Sequence, residues 1–542
     1  MKSSYMVYRY NSLVTILMPV LFLLAFSGCG SKTVNSDINT AEGSNRAKSE
    51  QEISPQGYDH FVNANLLELD GSYGSALSEY QNALKYFPES QTIRTDYARL
   101  LFRTQNFDEA LKQAIMIEPK SAETYLLLGD CYRLIGNADS AIAAYNNTIE
   151  LDRDNINAYW YLAGYYSQMG KIDEAISSYY EIARLTDTYR VWQELGTLLG
   201  QSGRYAEALE AFKKTIENSE QPGVTPYLGL AASYDALDSL PQAEAALEKA
   251  IEIDRYDVRI FRQMEAMYRG RDMITETIEA NKKLVALVPS DWVSQRRLGI
   301  LLFSDGQLKQ ADSLFADRIS FGDENILNYF YRGLIAIEQE RWEPAAGFMQ
   351  DAIKLDDSFM EGWLNLGYVY TQMDSLDQAI VTYNQGLARV ENDEGKIRLL
   401  FALGAALERN NQFYEAVETL RELISIDSNN AQALNYLGYM LADRNEQLTY
   451  ALELIEKAIS IAPDNGAYID SYGWVQYRLG NYEMALTELK KAVDLIGDDA
   501  VIYEHLGDVY EALGDRNEAE RHYRRALELD PDSINLEEKL GR

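Results

Sequence analysis

The chain has little of what catalysis uses. Its 542 residues include two cysteines and three histidines. Cys29 and Cys131 are too few for a disulfide framework. His60, His505 and His522 leave little material for metal ligation or proton transfer. His505 and His522 fall in one stretch, but their sequence neighbours are Glu and Arg on helix faces that read as exposed, so no metal site is expected there. No G-x-S-x-G, H-E-x-x-H or paired C-x-x-C occurs. The nearest approach to a phosphate loop, Gly164 to Ile172, has one residue too many between its glycines and Ile172 where Ser or Thr is needed. No enzyme activity, cofactor or metal is expected.

Positive charge is also scarce. There are 50 Lys and Arg against 84 Asp and Glu, a formal net charge of −34. Such a surface repels nucleic-acid phosphates and anionic lipid heads, so nucleic acid is not expected as a partner. One apolar run stands out, from Leu13 to Phe26, and it is short of the roughly 20 residues a membrane-spanning helix needs. Lys2 and Arg9 precede it and the small residues Ser27 and Gly28 follow. This layout predicts a secretory signal over 1–28. Cleavage at an A-x-A-like site at Ala25-Phe26-Ser27, or retention as an uncleaved anchor, are the other readings. Residues 30–52 hold one Val, one Ile and no aromatic, which cannot offset the entropy of ordering, so 29–56 reads as a tether.

Phe26-Ser27-Gly28-Cys29 resembles the lipobox of bacterial lipoproteins, with Phe26 in place of the usual Leu. The resemblance implies that Cys29 is the lipidation site and that acyl chains, at about 0.8 kcal/mol per buried CH₂, hold the protein on a membrane. Gly30 is not the Asp that resembles an inner-membrane retention signal, which points to the outer membrane, facing the periplasm.

Downstream the chain repeats itself every 34 residues or so. Near the C-terminus, Leu506-Gly507, Tyr510, Gly514, Ala519, Tyr523, Ala526 and Pro531 match W-x₂-L-G-x₂-Y…A-x₃-F…P, the pattern of the tetratricopeptide repeat (TPR). The Gly or Ala of a first helix, A, recurs from Ala64 to Gly507, with Glu265 as the exception. The Ala opening a second helix, B, recurs from Ala76 to Ala519, with Thr277 as the exception. Small residues on both helices let a hairpin close. Gly136, Gly170, Gly203, Gly306, Gly480 and Gly514 mark turns where positive φ is cheap. Pro88, Pro289, Pro463 and Pro531 follow the B helices, which they cannot continue. The expected fold is all-α, a right-handed TPR α-solenoid of about fourteen repeats over 57–531, with residues 532–542 as a capping helix.

Some repeats are irregular. Ala110 to Pro119 is three residues short, so the B helix of repeat 2 is cut. Repeat 7 puts Glu265 and Asn281 at packing positions, either a repacked copy or a hinge. Residues 217–226 and 391–396 lengthen connections and are possible joints. Cys131 reads as a small buried residue, and Tyr132, Tyr166, Tyr234, Tyr370 and Tyr510 as core.

In TPR proteins the concave groove is lined by A helices. By repeat offset, the groove positions hold Trp160, Phe303, Phe330, Tyr368, Phe401, Asn435, Tyr439, Asp443, Asp470, Trp474, Tyr477 and Arg478. Aromatics there suit anchoring a peptide or helix, and several are expected to pack on neighbouring repeats. The Lys/Asn set of chaperone-binding TPRs is missing. One block, Ala433 to Leu486 with Glu504-His505-Leu506-Gly507-Asp508, resembles the C-terminal part of large outer-membrane TPR lipoproteins of the LbcA kind. Those proteins, like the smaller NlpI type, are adaptors. The resemblance implies protein partners, among them a periplasmic carboxyl-terminal processing protease and peptidoglycan hydrolases. Service to another envelope machine, in secretion or outer-membrane assembly, and glycan binding by the groove aromatics are the alternatives.

Overall fold

A computed structural model describes residues 54–541. The signal segment, Cys29 and the tether up to residue 53 lie outside them. The described residues form helices, with no strands among them, in two compact units, the first ending at Lys120 and the second beginning at Ser121.

The first unit holds two helical hairpins: α1 (Pro55–Leu69) with α2 (Tyr73–Tyr86), and α3 (Gln91–Arg103) with α4 (Phe107–Ile115). Pro55 and Gln56, read above as tether, already belong to α1. Ser54 accepts a hydrogen bond from Gly57 N at 3.3 Å, and Pro55 takes the first helical position, where no N–H is missed. Ala64 and Ala76 are fully buried, and Tyr80 fills the interior with its hydroxyl donating to Glu68 at 3.0 Å. Helix α4 has nine residues, where every other B helix has 12 to 15, as the shortened spacing before Pro119 requires.

The second unit continues the alternation. Its hairpins are α5 (Ala122–Leu134) with α6 (Ala138–Leu151), α7 (Ile156–Gln168) with α8 (Ile172–Thr186), and α9 (Tyr189–Gln201) with α10 (Tyr205–Glu217). Then come α11 (Val224–Ala236) with α12 (Leu240–Ile253), α13 (Val258–Gly270) with α14 (Ile274–Leu287), and α15 (Trp292–Ser304) with α16 (Leu308–Ser320). Next are α17 (Ile326–Glu338) with α18 (Trp342–Leu355), α19 (Met360–Gln372) with α20 (Leu376–Leu387), and α21 (Asp393–Arg409) with α22 (Phe413–Ile426). Last are α23 (Ala431–Asp443) with α24 (Leu448–Ile461), α25 (Gly466–Arg478) with α26 (Tyr482–Ile496), α27 (Ala500–Ala512) with α28 (Arg516–Leu529), and the short α29 (Ile534–Lys539). Each unit is an all-α stack of helical hairpins, the arrangement of a tetratricopeptide solenoid.

Each hairpin closes by size complementarity. A Cβ on Gly129 would lie 2.5 Å from the Tyr145 ring, so only glycine admits the aromatic there. Tyr145 is fully buried, a gain of roughly 1.5–3 kcal/mol for a large side chain. In all fourteen hairpin turns the residue after the first helix's C-cap has positive φ, and the α23–α24 turn has a second, Gln447, at the start of α24. Of the fourteen, seven are glycines, including Gly71; the other seven are Gln105, Asp238, Asp272, Glu340, Asp374, Asn411 and Asn445. A search for turn glycines therefore finds only half of the turns.

Two expected joints resolve differently. Residues 218–223 do form a connection, but Val224 to Pro226 belong to α11. Residues 393–396 are helix, not loop: Asn392 accepts from Gly395 N at 2.7 Å, and Asp393 and Glu394 suit the positive end of α21. Cys131 is fully buried, and burial, with nearby Asp130, pushes its thiol up to about 12. Tyr132, Tyr166, Tyr234, Tyr370 and Tyr510 are half-buried, each packed against a core cluster from its edge and not enclosed in it.

The interior changes character along the second unit. Between residues 336 and 475 one apolar cluster runs without a break through α17–α25, including Trp363, Leu399, Leu437 and Ile455. Between residues 265 and 328 the buried side chains include Glu265, Asn281, Gln295, Arg318, Asp323 and Asn328.

Candidate functional site

Seven of the twelve groove positions come together on α23 and α25, against α27. Each of these helices starts with an Asx cap: Asn430 accepts from Ala433 N at 3.0 Å, Asn465 from Ala467 N at 3.0 Å and Asp499 from Val501 N at 2.9 Å. The caps fix where each helix begins, and so which side chains share a face one repeat later.

Asp470 on α25 accepts a hydrogen bond from His505 Nδ1 on α27 at 2.9 Å. Both are buried; His505 is 4 % exposed. This corrects the reading of His505 and His522 as surface residues with Glu and Arg for company. Both rings are inside, His522 stacked between Tyr503 and Tyr510 in the last hairpin. Burial alone would lower the His505 pKa. The Asp470 carboxylate, with Asp508 and Glu504 farther off, outweighs burial and leaves it raised.

The imidazole of His505 stacks on Trp474, ring centroids 4.1 Å apart and planes 16° from parallel. Trp474 in turn stacks on Tyr477 at 5.0 Å and 21°. Tyr439 on α23 approaches His505 at 6.2 Å, and burial beside Asp443 and Asp470 raises its phenol pKa. The Arg478 guanidinium lies 5.5 Å from the Trp474 ring and donates to the Asp443 carbonyl at 2.9 Å, tying α25 to the end of α23. Trp474 is 6 % exposed, so it supports the face more than it offers itself. Its Nε1–H has no acceptor, and Asn435 Oδ1 has no donor, although both atoms are buried. Asp443 is exposed, and Tyr439, Tyr477 and Arg478 are half-buried.

The other five positions are spread along the unit, each packed on a neighbour. Trp160 meets Tyr179 edge-on at 5.5 Å with Arg190 over its ring. Phe303 and Phe330 both contact Tyr331, at 5.5 and 5.6 Å. Tyr368 lies 6.4 Å from Trp342, and Phe401 5.5 Å from Tyr436. All five are half-buried.

Sequence reasoning missed four residues of the C-terminal face: His505, Glu504, Asp508 and Lys539. The signal was present for Glu504 and Asp508. Asn435, Asp470 and Glu504 stand at one repeat offset, three residues before the A-helix glycine, and Tyr439, Trp474 and Asp508 stand one residue after it. No group of three or more His, Cys, Asp and Glu suited to a metal ion occurs among the described residues, and no helix among them is long and apolar enough to cross a membrane.

Family profiles described as "Tetratricopeptide repeat" match residues 67–113, 109–164, 194–258, 361–389, 401–466 and 475–532, more than half of the chain. The chain is a tetratricopeptide-repeat protein. Arrays of this repeat imply a protein-binding scaffold. It is 35% identical over 107 residues to TPR repeat-containing protein PA4667 of Pseudomonas aeruginosa, covering 20% of this chain and 18% of that protein. It is 26% identical to TPR repeat-containing protein YpiA of Bacillus subtilis (42% and 52% covered), and 21% identical to TPR repeat-containing protein MJ1428 of Methanocaldococcus jannaschii (67% and 58%). The match thus spans from about a fifth to under two thirds of these relatives' own lengths. Among solved structures it is similar to the APC/C heterotetramer Cut9–Hcn1 (15% identity, TM-score 0.38, 90% and 96% covered) and to Naa15/Naa10 bound to HypK (15%, 0.40, 89% and 78%).

Proposed function

We propose that this TPR protein is a lipid-anchored scaffold of the bacterial envelope that faces the periplasm and docks protein partners on the A-helix face of α23, α25 and α27. The observation that carries it is the braced aromatic face there: Trp474 held between His505 and Tyr477, with Tyr439 and Arg478 beside it. A pre-ordered aromatic surface loses little side-chain entropy on binding, which is what a docking site requires. The anchor reading rests on Phe26-Ser27-Gly28-Cys29. A tether then raises the effective concentration of a docked partner at the membrane. The resemblance of the block from Ala433 to Leu486 makes a periplasmic processing protease, with peptidoglycan hydrolases as its substrates, the partner class to test first.

The experiment is affinity capture of the C-terminally tagged full chain from native membranes, followed by mass spectrometry. Recovery of a processing protease, lost in Tyr477→Ala, supports the adaptor reading. Recovery of secretion or assembly components instead overturns the protease assignment and leaves the scaffold. Cys29→Ser should move the protein from the membrane to the soluble fraction; unchanged fractionation overturns the anchor.

A further inference from the structure

Glu504 and Asp508 stand one turn apart on α27, at the offsets that Asp470 and Trp474 occupy one repeat earlier. They carry the chain's own cation. Lys539, at the end of α29, brings Nζ within 2.7 Å of Glu504 Oε1 and within 2.7 and 2.8 Å of the two Asp508 oxygens. The same ammonium lies 5.4 Å from the centre of the Tyr523 ring, whose hydroxyl shares its one proton between Asp508 at 2.7 Å and Glu511 at 3.0 Å. Two carboxylates and an aromatic ring around one ammonium make a lysine seat. It is held by a helix of one and a half turns whose one buried side chain is Leu536.

The face leading to this seat holds an orphaned donor, which a backbone carbonyl of a bound segment would satisfy. Trp474, more than nine-tenths buried, keeps an Nε1–H with no acceptor. Asp443 is exposed at the far end. The cation nearest Trp474, Arg478, is already spent on the Asp443 carbonyl. An acidic and aromatic surface on a chain of net charge −34 complements a basic segment.

We infer that the A-helix face of α23, α25 and α27 binds a lysine-bearing segment of a partner protein, and that Lys539 fills the last subsite of that face in the free chain. This rests on the scaffold reading and names the chemistry of the partner. Lys539 is then a built-in competitor. A partner lysine must displace it, and the apparent affinity is reduced by the fraction of time the seat is filled.

The test is fluorescence anisotropy on the full chain with a fluorescein-labelled amphipathic lysine peptide and its acetyl-lysine counterpart. Lysine peptide should bind and acetyl-lysine peptide should not. Lys539→Gln should tighten binding about 5-fold or more by emptying the seat. Glu504→Gln with Asp508→Asn should remove the preference for lysine, with helicity checked by circular dichroism. Equal binding of both peptides, or an affinity unmoved by Lys539→Gln, overturns the proposal. Partner capture from membranes separates the two readings. If capture survives Glu504→Gln/Asp508→Asn but fails in Tyr477→Ala, the scaffold stands and the lysine seat falls. If neither variant affects capture, the face is not the docking surface and both fall.

Discussion

Two stretches of the second unit share one backbone plan and differ inside it. In α18–α24 the interior is almost wholly apolar: Leu399, Leu437 and Ile455 are fully buried, aromatics pack around them, and Thr382 is the one buried polar residue there. In α13–α17, from residue 265 to 328, the same helix geometry encloses polar groups. Asn281 is 0 % exposed and neither end of its amide has a partner. It stands where Tyr145, Phe212, Phe315, Tyr383 and Tyr523 stand in other hairpins, and Glu265 stands where they have glycine. The large side chain has thus moved from helix B to helix A and become a carboxylate. Arg297 and Arg269 reach it at 3.2 and 3.1 Å, and Arg296 pairs with buried Asp323 nearby. The difference teaches that hairpin geometry does not set local stability. A buried polar group without a partner costs about 1–3 kcal/mol, so the polar stretch holds its shape with a smaller margin.

The largest expected effect breaks the apolar side of this comparison. Leu437→Ala removes a fully buried side chain and should cost ~2–5 kcal/mol, read by native-state hydrogen exchange of the α23 amides. Exchange in the unmutated chain should already be faster in α13–α16 than in α19–α25; equal protection would refute the contrast. On the polar side, Asn281→Leu is near-isosteric and removes an orphaned amide. It should stabilise α13–α14 by ~1–3 kcal/mol, and a loss of protection there would mean that Asn281 has a partner after all.

The pH response of the Asp470–His505 pair sharpens the contrast at the C-terminal end. The folded pKa of His505 is raised above its ordinary 6.5. The pair therefore contributes its stabilisation fully below about pH 6.5, and loses it as pH rises through the folded value. The melting temperature of the full chain, compared with His505→Gln, should show a gap that narrows with increasing pH. A gap that widens would reverse the assignment. The smallest effect is at a turn. Glu340 sits at φ 55°, where a side chain costs roughly 1–2 kcal/mol relative to glycine. Glu340→Gly should return ~1 kcal/mol or less, since glycine also loosens the unfolded chain, measured as protection of α17 and α18.

Much of the fold was legible because its determinants are local. Small residues at fixed offsets, turn residues and prolines announced the hairpins, and the shortened spacing before Pro119 announced the nine-residue α4. The misses were also physical. Residues 391–396 look like a loop by composition, yet an Asn cap followed by two acids starts a helix. The turns at Gln105 and Glu340 were silent because nothing about those residue types signals positive φ. At the candidate site the offsets located Asp470, Trp474, Tyr477 and Arg478 on one face. They said nothing of what each would touch.

By itself, then, the sequence determined a series of two-helix units that must stack, because each hairpin leaves an apolar face that only another repeat can cover. It also determined a chain poor in the residues of catalysis and rich in negative charge. Tertiary structure decided the rest. It buried His505 against an aspartate 35 residues away, turned Trp474 from an anchor into a support, and laid Lys539 across the final repeat. The reason is one of range. Hairpin closure is written within some 34 residues, whereas the chemistry of the A-helix face is made between successive repeats, where each side chain takes its burial and its charge from a neighbour that periodicity alone does not specify.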